Sequence, residues 1–267
     1  MPPVDGPTRL YGELGDPIDQ VRMPGFLNAA WARAGIDAVL VPMRVAAADL
    51  ASAVAGLKRL GNLDGLILTI PHKQAMLGLV DRVLPMGRRI GAINAVRREA
   101  DGSWTGEMFD GLGFVAGLHG LGHDPAGRRV LQVGAGGAGA AIAHALADAG
   151  VAGLDLYDIA REKAERLAAA VAAAVPGVAA RWVAEPAPEG CQLVLNATPL
   201  GMGAADALPV AVDRLAPGAV CADVVTKPIV TPFLQAAARR GHAVMPGHVM
   251  AAPQAALFAR FFGRAID

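Results

Sequence analysis

Short apolar runs alternate with amphipathic ones over the first hundred residues, the rhythm of β-α units around a mostly parallel sheet. Thr8 to Leu14 predicts a strand, Pro24 to about Arg33 a helix with proline in its first turn, Ala38 to Met43 a strand, Ala46 to Leu60 a helix, and Gly65 to Ile70 a third strand. Pro71 closes that strand, and His72 and Lys73 open the next helix. Ile90 to Arg98 and Ser103 to Phe109 read as two strands joined at Asp101-Gly102, a dipeptide that suits a tight hairpin.

A helical stretch from Asp110 to about Gly122 and a turn-rich segment, His123 to Arg128, lead into a second unit. There a strand at Arg129 to Val133 runs into Gly134-Ala135-Gly136-Gly137-Ala138-Gly139, a helix to about Gly150, a strand at Gly153 to Tyr157 and then Asp158. Strand, Gly-x-Gly-x-x-Gly, helix, strand and acid in that order form a dinucleotide-binding fingerprint. Gly134 permits the tight turn, Gly136 lets a pyrophosphate approach the backbone, and Gly139 lets helix and strand close up. An Ala-rich helix follows, then strands at Val178 to Val183, Gln192 to Asn196 and Ala219 to Val224, a helix from Thr231 to Arg240, and a final apolar helix from about His248 to Phe262. The fold class is α/β: an N-terminal α/β domain with a mostly parallel sheet, plus a Rossmann-like dinucleotide-binding domain. The expected boundaries are residues 1–110, completed by a C-terminal helix at 247–267, and residues 111–246.

Composition narrows the partners. The 267 residues carry 24 Lys plus Arg against 24 Asp plus Glu, so no basic excess exists to release counterions from nucleic acid or to bind an anionic membrane; a small-molecule partner fits better. The weakly polar Ala/Gly stretches are too short and too interrupted to span a bilayer. Cys191 and Cys221 lie in apolar contexts with no secretory signal ahead of them, which points to buried thiols in a reducing cytoplasm. His119, His123, His144 and His248 have no metal-ligand spacing, so no metal is expected. The Ala-rich surface leaves a monomer and a homodimer equally open.

Only four of the basic residues are lysines, Lys58, Lys73, Lys163 and Lys227. Lysine can surrender its proton where arginine cannot, and Lys73 falls just past a strand end, where open α/β sheets form their sites. Asn94 in Gly91-Ala92-Ile93-Asn94 and Asp110 in Gly106-Glu107-Met108-Phe109-Asp110-Gly111 add an amide and a carboxylate near the domain junction. Asp158, at the end of the second strand of the nucleotide unit, suits a ribose diol and repels a 2′-phosphate, which favours NAD over NADP.

Together with Gly15-Asp16-Pro17-Ile18, Thr69-x-Pro71-x-Lys73, Asn196-Ala197-Thr198-Pro199-Leu200-Gly201-Met202, the Asp223-to-Pro232 segment and Gly247-x-x-Met250-x-x-x-Gln254, these segments resemble the shikimate dehydrogenase family, in the family's order and from Leu10 to Gly263. The resemblance implies reversible hydride transfer between a nicotinamide cofactor and a secondary alcohol of a shikimate- or quinate-like hydroxy acid. It also implies a substrate domain made of the N-terminal part and the last helix. Lys73 and Asp110 match the family's catalytic pair, and Thr69, Asn94 and Gln254 its substrate positions. The glycine loop (Gly134, Ala135, Gly136, Gly137, Ala138), Asn196, Ala197, Thr198, Pro199, Val224 and Gly247 match its cofactor contacts.

The chain departs from the family at the substrate carboxylate. The usual Ser-x-Ser-Pro is Val21-Arg22-Met23-Pro24, a Tyr after the Asp223 position is Thr226, the Asn-Thr before the catalytic Asp is Met108-Phe109, and the His before Asn28 is Leu27. Each lost hydrogen bond to a charged group weakens binding by roughly 1.5–3 kcal/mol, so shikimate is expected to bind poorly unless Arg22 replaces them. Two rival readings are an NADP-dependent shikimate dehydrogenase and a nucleotide-binding sensor without turnover; a sensor has no use for the Lys73 and Asp110 pair.

Overall fold

The computed structural model describes residues 4–203 and 207–266. The chain forms two compact units, one running to Phe109 and resuming at Ala251, the other spanning Asp110–Met250.

The first unit opens with β1 (Arg9–Gly15), α1 (Met23–Arg33) and β2 (Ala38–Arg44). A short 3₁₀ turn then leads into α2 (Leu50–Leu57), followed by β3 (Leu63–Leu68). The remainder is a second 3₁₀ turn at Ala75–Leu79, β4 (Arg82–Val83), α3 (Pro85–Ile90), β5 (Ala95–Arg98) and β6 (Trp104–Glu107). The sheet order is β2-β1-β3-β5-β6-β4. β2, β1 and β3 run parallel, β5 is antiparallel to β3 and to β6, and β4 pairs parallel with β6.

The β5–β6 hairpin forms as expected, turning at Gly102 with φ +82°. Up to β5 the chain departs from its expected course in four places. The third strand lies two residues earlier than Gly65–Ile70, because Ile70 is outside the sheet and 54% exposed. His72 and Lys73 sit in a turn rather than opening an α-helix. Residues 90–94 are not strand, since Gly91 ends α3 in the left-handed region that only glycine adopts at little cost. The helix expected over Ala46–Leu60 is split into the 3₁₀ turn and α2.

The second unit begins with α4 (Asp110–Gly120) and β7 (Arg129–Val133), then α5 (Gly137–Asp148), β8 (Gly153–Tyr157), α6 (Arg161–Ala174), β9 (Ala179–Trp182), β10 (Leu193–Asn196), β11 (Val220–Asp223), α7 (Pro232–Arg239) and β12 (Ala243–Met245). Its sheet is parallel throughout, ordered β12-β11-β10-β7-β8-β9. Read from the other edge, this is the doubly wound order of a Rossmann domain, with strand progression reversing between β7 and β10. Leu131, Val133 and Val194 join one apolar cluster and Leu154, Leu156 and Leu195 another, on opposite faces of the sheet, as a sheet covered on both sides requires. Cys191 and Cys221 are buried, unpaired thiols, and burial pushes Cys221 up to about 12.

α8 (Ala251–Phe261) returns to the first unit. It packs Ala255, Phe258 and Phe261 with Tyr11, Leu27 and Trp31 against one face of the first sheet. No helix among the described residues is long and apolar enough to cross a membrane.

Candidate active site

In the second unit the glycine loop lies where the strand progression reverses, the position at which open α/β sheets bind ligands. Gly134 has φ +109°, and a Cβ there would fall 2.7 Å from the Ala197 carbonyl of the loop after β10. At Gly139 a Cβ would collide with the Gly134 carbonyl oxygen. Gly136 and Gly137, by contrast, face open space. The loop is therefore tight where it meets protein and bare where a pyrophosphate would lie. Gly136 caps α5 without a side chain, so the amides of Gly137, Ala138 and Gly139 have no acceptor within the helix and form a ready anion cradle. The fully buried Gln132 holds the turn shut, its Nε2 donating to the Gly134 and Gly139 carbonyls at 2.9 and 2.8 Å.

A cleft of about 720 Å³ opens beside this loop, lined by Gly134, Gly136, Asp158, Ala197, Thr198 and Pro199. Asp158 accepts from the backbone amides of Ala135 and Ala160, both at 2.8 Å. Its carboxylate is thus fixed at the end of β8 and joined to the glycine loop. Ile159, 93% exposed, and Lys163 line the same cleft and were not anticipated from sequence. Arg161 is engaged elsewhere: it donates to Glu165 at 2.7 Å and lies 4.2 Å over the Trp182 ring.

Asn196 lies beneath the cleft rather than on its wall. Its Oδ1 accepts from Thr198, amide and hydroxyl, while its Nδ2 donates to Leu200 O and to Asp223. Asp223 is wholly buried, and that burial raises its carboxyl to about 6 despite hydrogen bonds from Val225 N–H, Thr231 Oγ1 and Asn196. This knot shapes the 196–200 loop. By its resemblance to the family the sequence marks Asn196 as a cofactor contact and Asp223 as the start of a matching segment, but assigns no role to Asp223 or Gln132; a polar residue inside an apolar strand is the available signal. Val224 directly follows β11 with Gly247 against it, where a Cβ on Gly247 would strike the Val224 carbonyl. Thr226 follows β11 and is half-buried.

In the first unit Lys73 lies in the turn after β3, its carbonyl accepting from Ile93 N–H at 2.9 Å. The next residue, Asn94, is buried and ties three segments together. Its carbonyl accepts from Leu68, its N–H donates to Glu107 O, and its Oδ1 accepts from Phe109 N–H, each at 2.9 Å. Thr69 follows β3 directly, with its methyl against Gly15. Gln254 is buried on α8. Met23, the first residue of α1, is packed into the apolar core with Leu27 and Trp31, and Val21 just ahead of it is half-buried. Asp110 is buried at the start of α4, in the second unit. Glu13, not singled out in the sequence, is 5% exposed on β1, and Lys73 acts on it electrostatically. Among the described residues no cluster of His, Cys, Asp or Glu could hold a metal.

Fold and cleft define a class first: an α/β oxidoreductase with a Rossmann-like unit that takes a nicotinamide dinucleotide. Comparisons with known proteins narrow it. Residues 14–96 match the family model for the shikimate dehydrogenase substrate binding domain. The NADP(+) shikimate dehydrogenase of Rubrobacter xylanophilus is 39% identical over 255 residues, 94% of this chain and 89% of that one. Two solved structures are 33% identical and are each covered to 95% by 97% of this chain. One is the 5-ketofructose reductase of Gluconobacter sp. strain CHM43, TM-score 0.87, and the other the quinate dehydrogenase of Corynebacterium glutamicum in complex with NAD, TM-score 0.85. The chain belongs to the shikimate dehydrogenase family, and it is an NAD(P)-dependent oxidoreductase of the shikimate/quinate dehydrogenase type.

Proposed function

We propose that the protein catalyses reversible hydride transfer between NAD and a secondary alcohol of a small polyhydroxylated compound related to shikimate or quinate, and that shikimate itself is a poor substrate. The first unit with α8 serves as the substrate domain, and the second as the nicotinamide domain. The bound nicotinamide supplies the hydride acceptor. Lys73 takes the hydroxyl proton at Nζ as the alcohol is oxidised and returns it in reduction, and Asp110 shares that proton. Thr69, Asn94 and Gln254 hold the substrate's hydroxyl groups.

The observation that carries this reading is the fixing of Lys73 at the end of β3 by the Ile93 amide, next to Asn94 and at the carboxyl edge of the sheet. Asp158 supports the choice of NAD. Its carboxylate is pinned by two amides, and a 2′-phosphate brought within about 4 Å would be repelled by roughly 4 kcal/mol per unit charge at intermediate dielectric. Arg161, which could offset that charge, pairs with Glu165 and lies over the Trp182 ring. Against shikimate stand Val21 and Met23, which carry no hydroxyl, and Thr226, whose short side chain stands where the family has a tyrosine. The enzyme works in the cytoplasm, in keeping with two buried thiols left unpaired.

A second reading, an NADP-dependent shikimate dehydrogenase, is favoured by the names of the relatives and by Lys163 in the cleft. One screen separates the two. Turnover of shikimate, quinate and related cyclic alcohols is followed with each cofactor, and Lys73→Ala serves as control. NAD is expected to outperform NADP, with shikimate among the weakest substrates. A preference for NADP together with efficient shikimate oxidation would establish the second reading, and no turnover at all would refute both.

A further inference from the structure

The carboxyl end of β1 is also a point of reversal. The chain passes from β1 out to β2 and back across to β3, so β1 ends between the two, with Glu13 opposite Pro42 on one side and Ile67 on the other. Such a point of strand reversal is where an open α/β sheet receives its ligand. Side chains two apart on a strand share a face, so Glu13 points to the same side as Tyr11, the side covered by α1 and α8, where Met23 lies. Gly15, one step further on that face, meets the methyl of Thr69. Glu13 is 95% removed from solvent, its Oε2 has no hydrogen-bond partner among the described residues, and the Lys73 ammonium is the charged group that acts on it. A buried carboxyl oxygen without a partner is costly, and a ligand hydroxyl would satisfy it.

We propose that Glu13 is a specificity-determining residue that accepts a hydrogen bond from a substrate hydroxyl, and that it selects a neutral polyhydroxylated alcohol or ketone over a carboxylated one. This rests on the function proposed above and narrows its substrate. Two features act in one direction: Val21 and Met23 carry no hydroxyl to grip an anion, and Glu13 on β1 presents an acceptor that repels one. A hydroxyl group, being a donor, completes Glu13 in its ionised form; a carboxylate, being an acceptor only, leaves that form unsatisfied and adds like charge.

The test compares shikimate with methyl shikimate, its neutral ester, and with a cyclitol and a ketohexose, by calorimetric binding and by steady-state turnover. The chains are the full-length protein, Glu13→Gln and Glu13→Val. The unaltered protein is expected to bind methyl shikimate at least tenfold more tightly than shikimate. In Glu13→Val the ratio should fall at least tenfold, and KM for the cyclitol or ketohexose should rise at least tenfold with kcat little changed. Glu13→Gln, which keeps an acceptor oxygen, should hold the neutral ligands within about threefold. A buried glutamate with a purely structural role would move the melting temperature and leave these ratios alone. Equal ratios in the unaltered protein and Glu13→Val, or tighter binding of shikimate than of its ester, would overturn the proposal. Absence of turnover with a shifted binding ratio would refute hydride transfer while upholding Glu13.

Discussion

Burial raises the Glu13 carboxyl from 4.5 to about 7, and the Lys73 ammonium offsets part of the rise. Between those two values the folded chain keeps a proton that the unfolded chain has released. The contribution of Glu13 to stability is therefore whole below about pH 4.5 and is lost as pH rises through about 7. A shift of this size corresponds to roughly 3 kcal/mol at full effect. Glu13→Gln has no proton to lose, so its stability advantage over the unaltered protein should widen by about 1–3 kcal/mol between pH 5 and pH 8 in denaturant titrations. A gap that stays constant with pH would show that Glu13 does not titrate there. For Lys73 the expectation concerns rate. Lys73→Ala should lower kcat by a factor of roughly 10² to 10⁴, the usual worth of a positioned acid–base group, with NADH affinity unchanged. Lys73→Arg should not rescue it, because a guanidinium keeps its charge but cannot give up its proton; recovery in that variant would mean that Lys73 contributes charge alone.

At the scale of elements, the glycine loop offers a paired test. A Cβ at Gly139 would meet the Gly134 carbonyl and crowd the Gln132 amide at 3.0 Å, whereas one at Gly137 meets nothing within 4 Å. Gly139→Ala should therefore cost about 1–3 kcal/mol in urea unfolding, as overpacking generally does, and Gly137→Ala should cost nothing measurable. Equal effects would mean that the close approach of β7 and α5 is not what holds the loop. The same loop explains why this half of the fold was readable from sequence. β7 and β8 begin and end where their apolar runs do, because each is bounded by Gly, Arg or Asp. Around Lys73 the pattern misled: Ile70 extends an apolar run beyond the point where the chain has left the sheet, and Lys73 enters a turn whose geometry is set by the distant Ile93 amide. Glu13 was hidden for a related reason. Tyr11-Gly12-Glu13-Leu14 reads as an ordinary strand with one polar face, yet β1 is covered by helices on both sides and leaves no solvent for a charge. β12, three residues long, is too short for periodicity to register.

On the scale of the whole molecule, the two units have separate apolar cores and separate points of strand reversal. A ligand that binds at one crevice should thus leave its mark on the amides of that unit, and the two proposed ligands should be distinguishable by hydrogen exchange on the intact chain. NADH at a hundred times its dissociation constant stabilises what it binds by about 2.7 kcal/mol. That should slow exchange most at residues 133–139, 157–160 and 196–200, where the glycine loop, the Asp158 turn and the Asn196 loop enclose the cleft. Methyl shikimate, given alone, should slow exchange most at 12–15 and 66–73, the ends of β1 and β3, and at 93–94. Slowing by NADH centred on the first set, with the substrate probe centred on the second, would assign each ligand to its own sheet. If NADH protected the ends of β1 and β3 and left the glycine loop unchanged, the bare surface at Gly136 and Gly137 would need another occupant, and the division of labour between the units would be wrong.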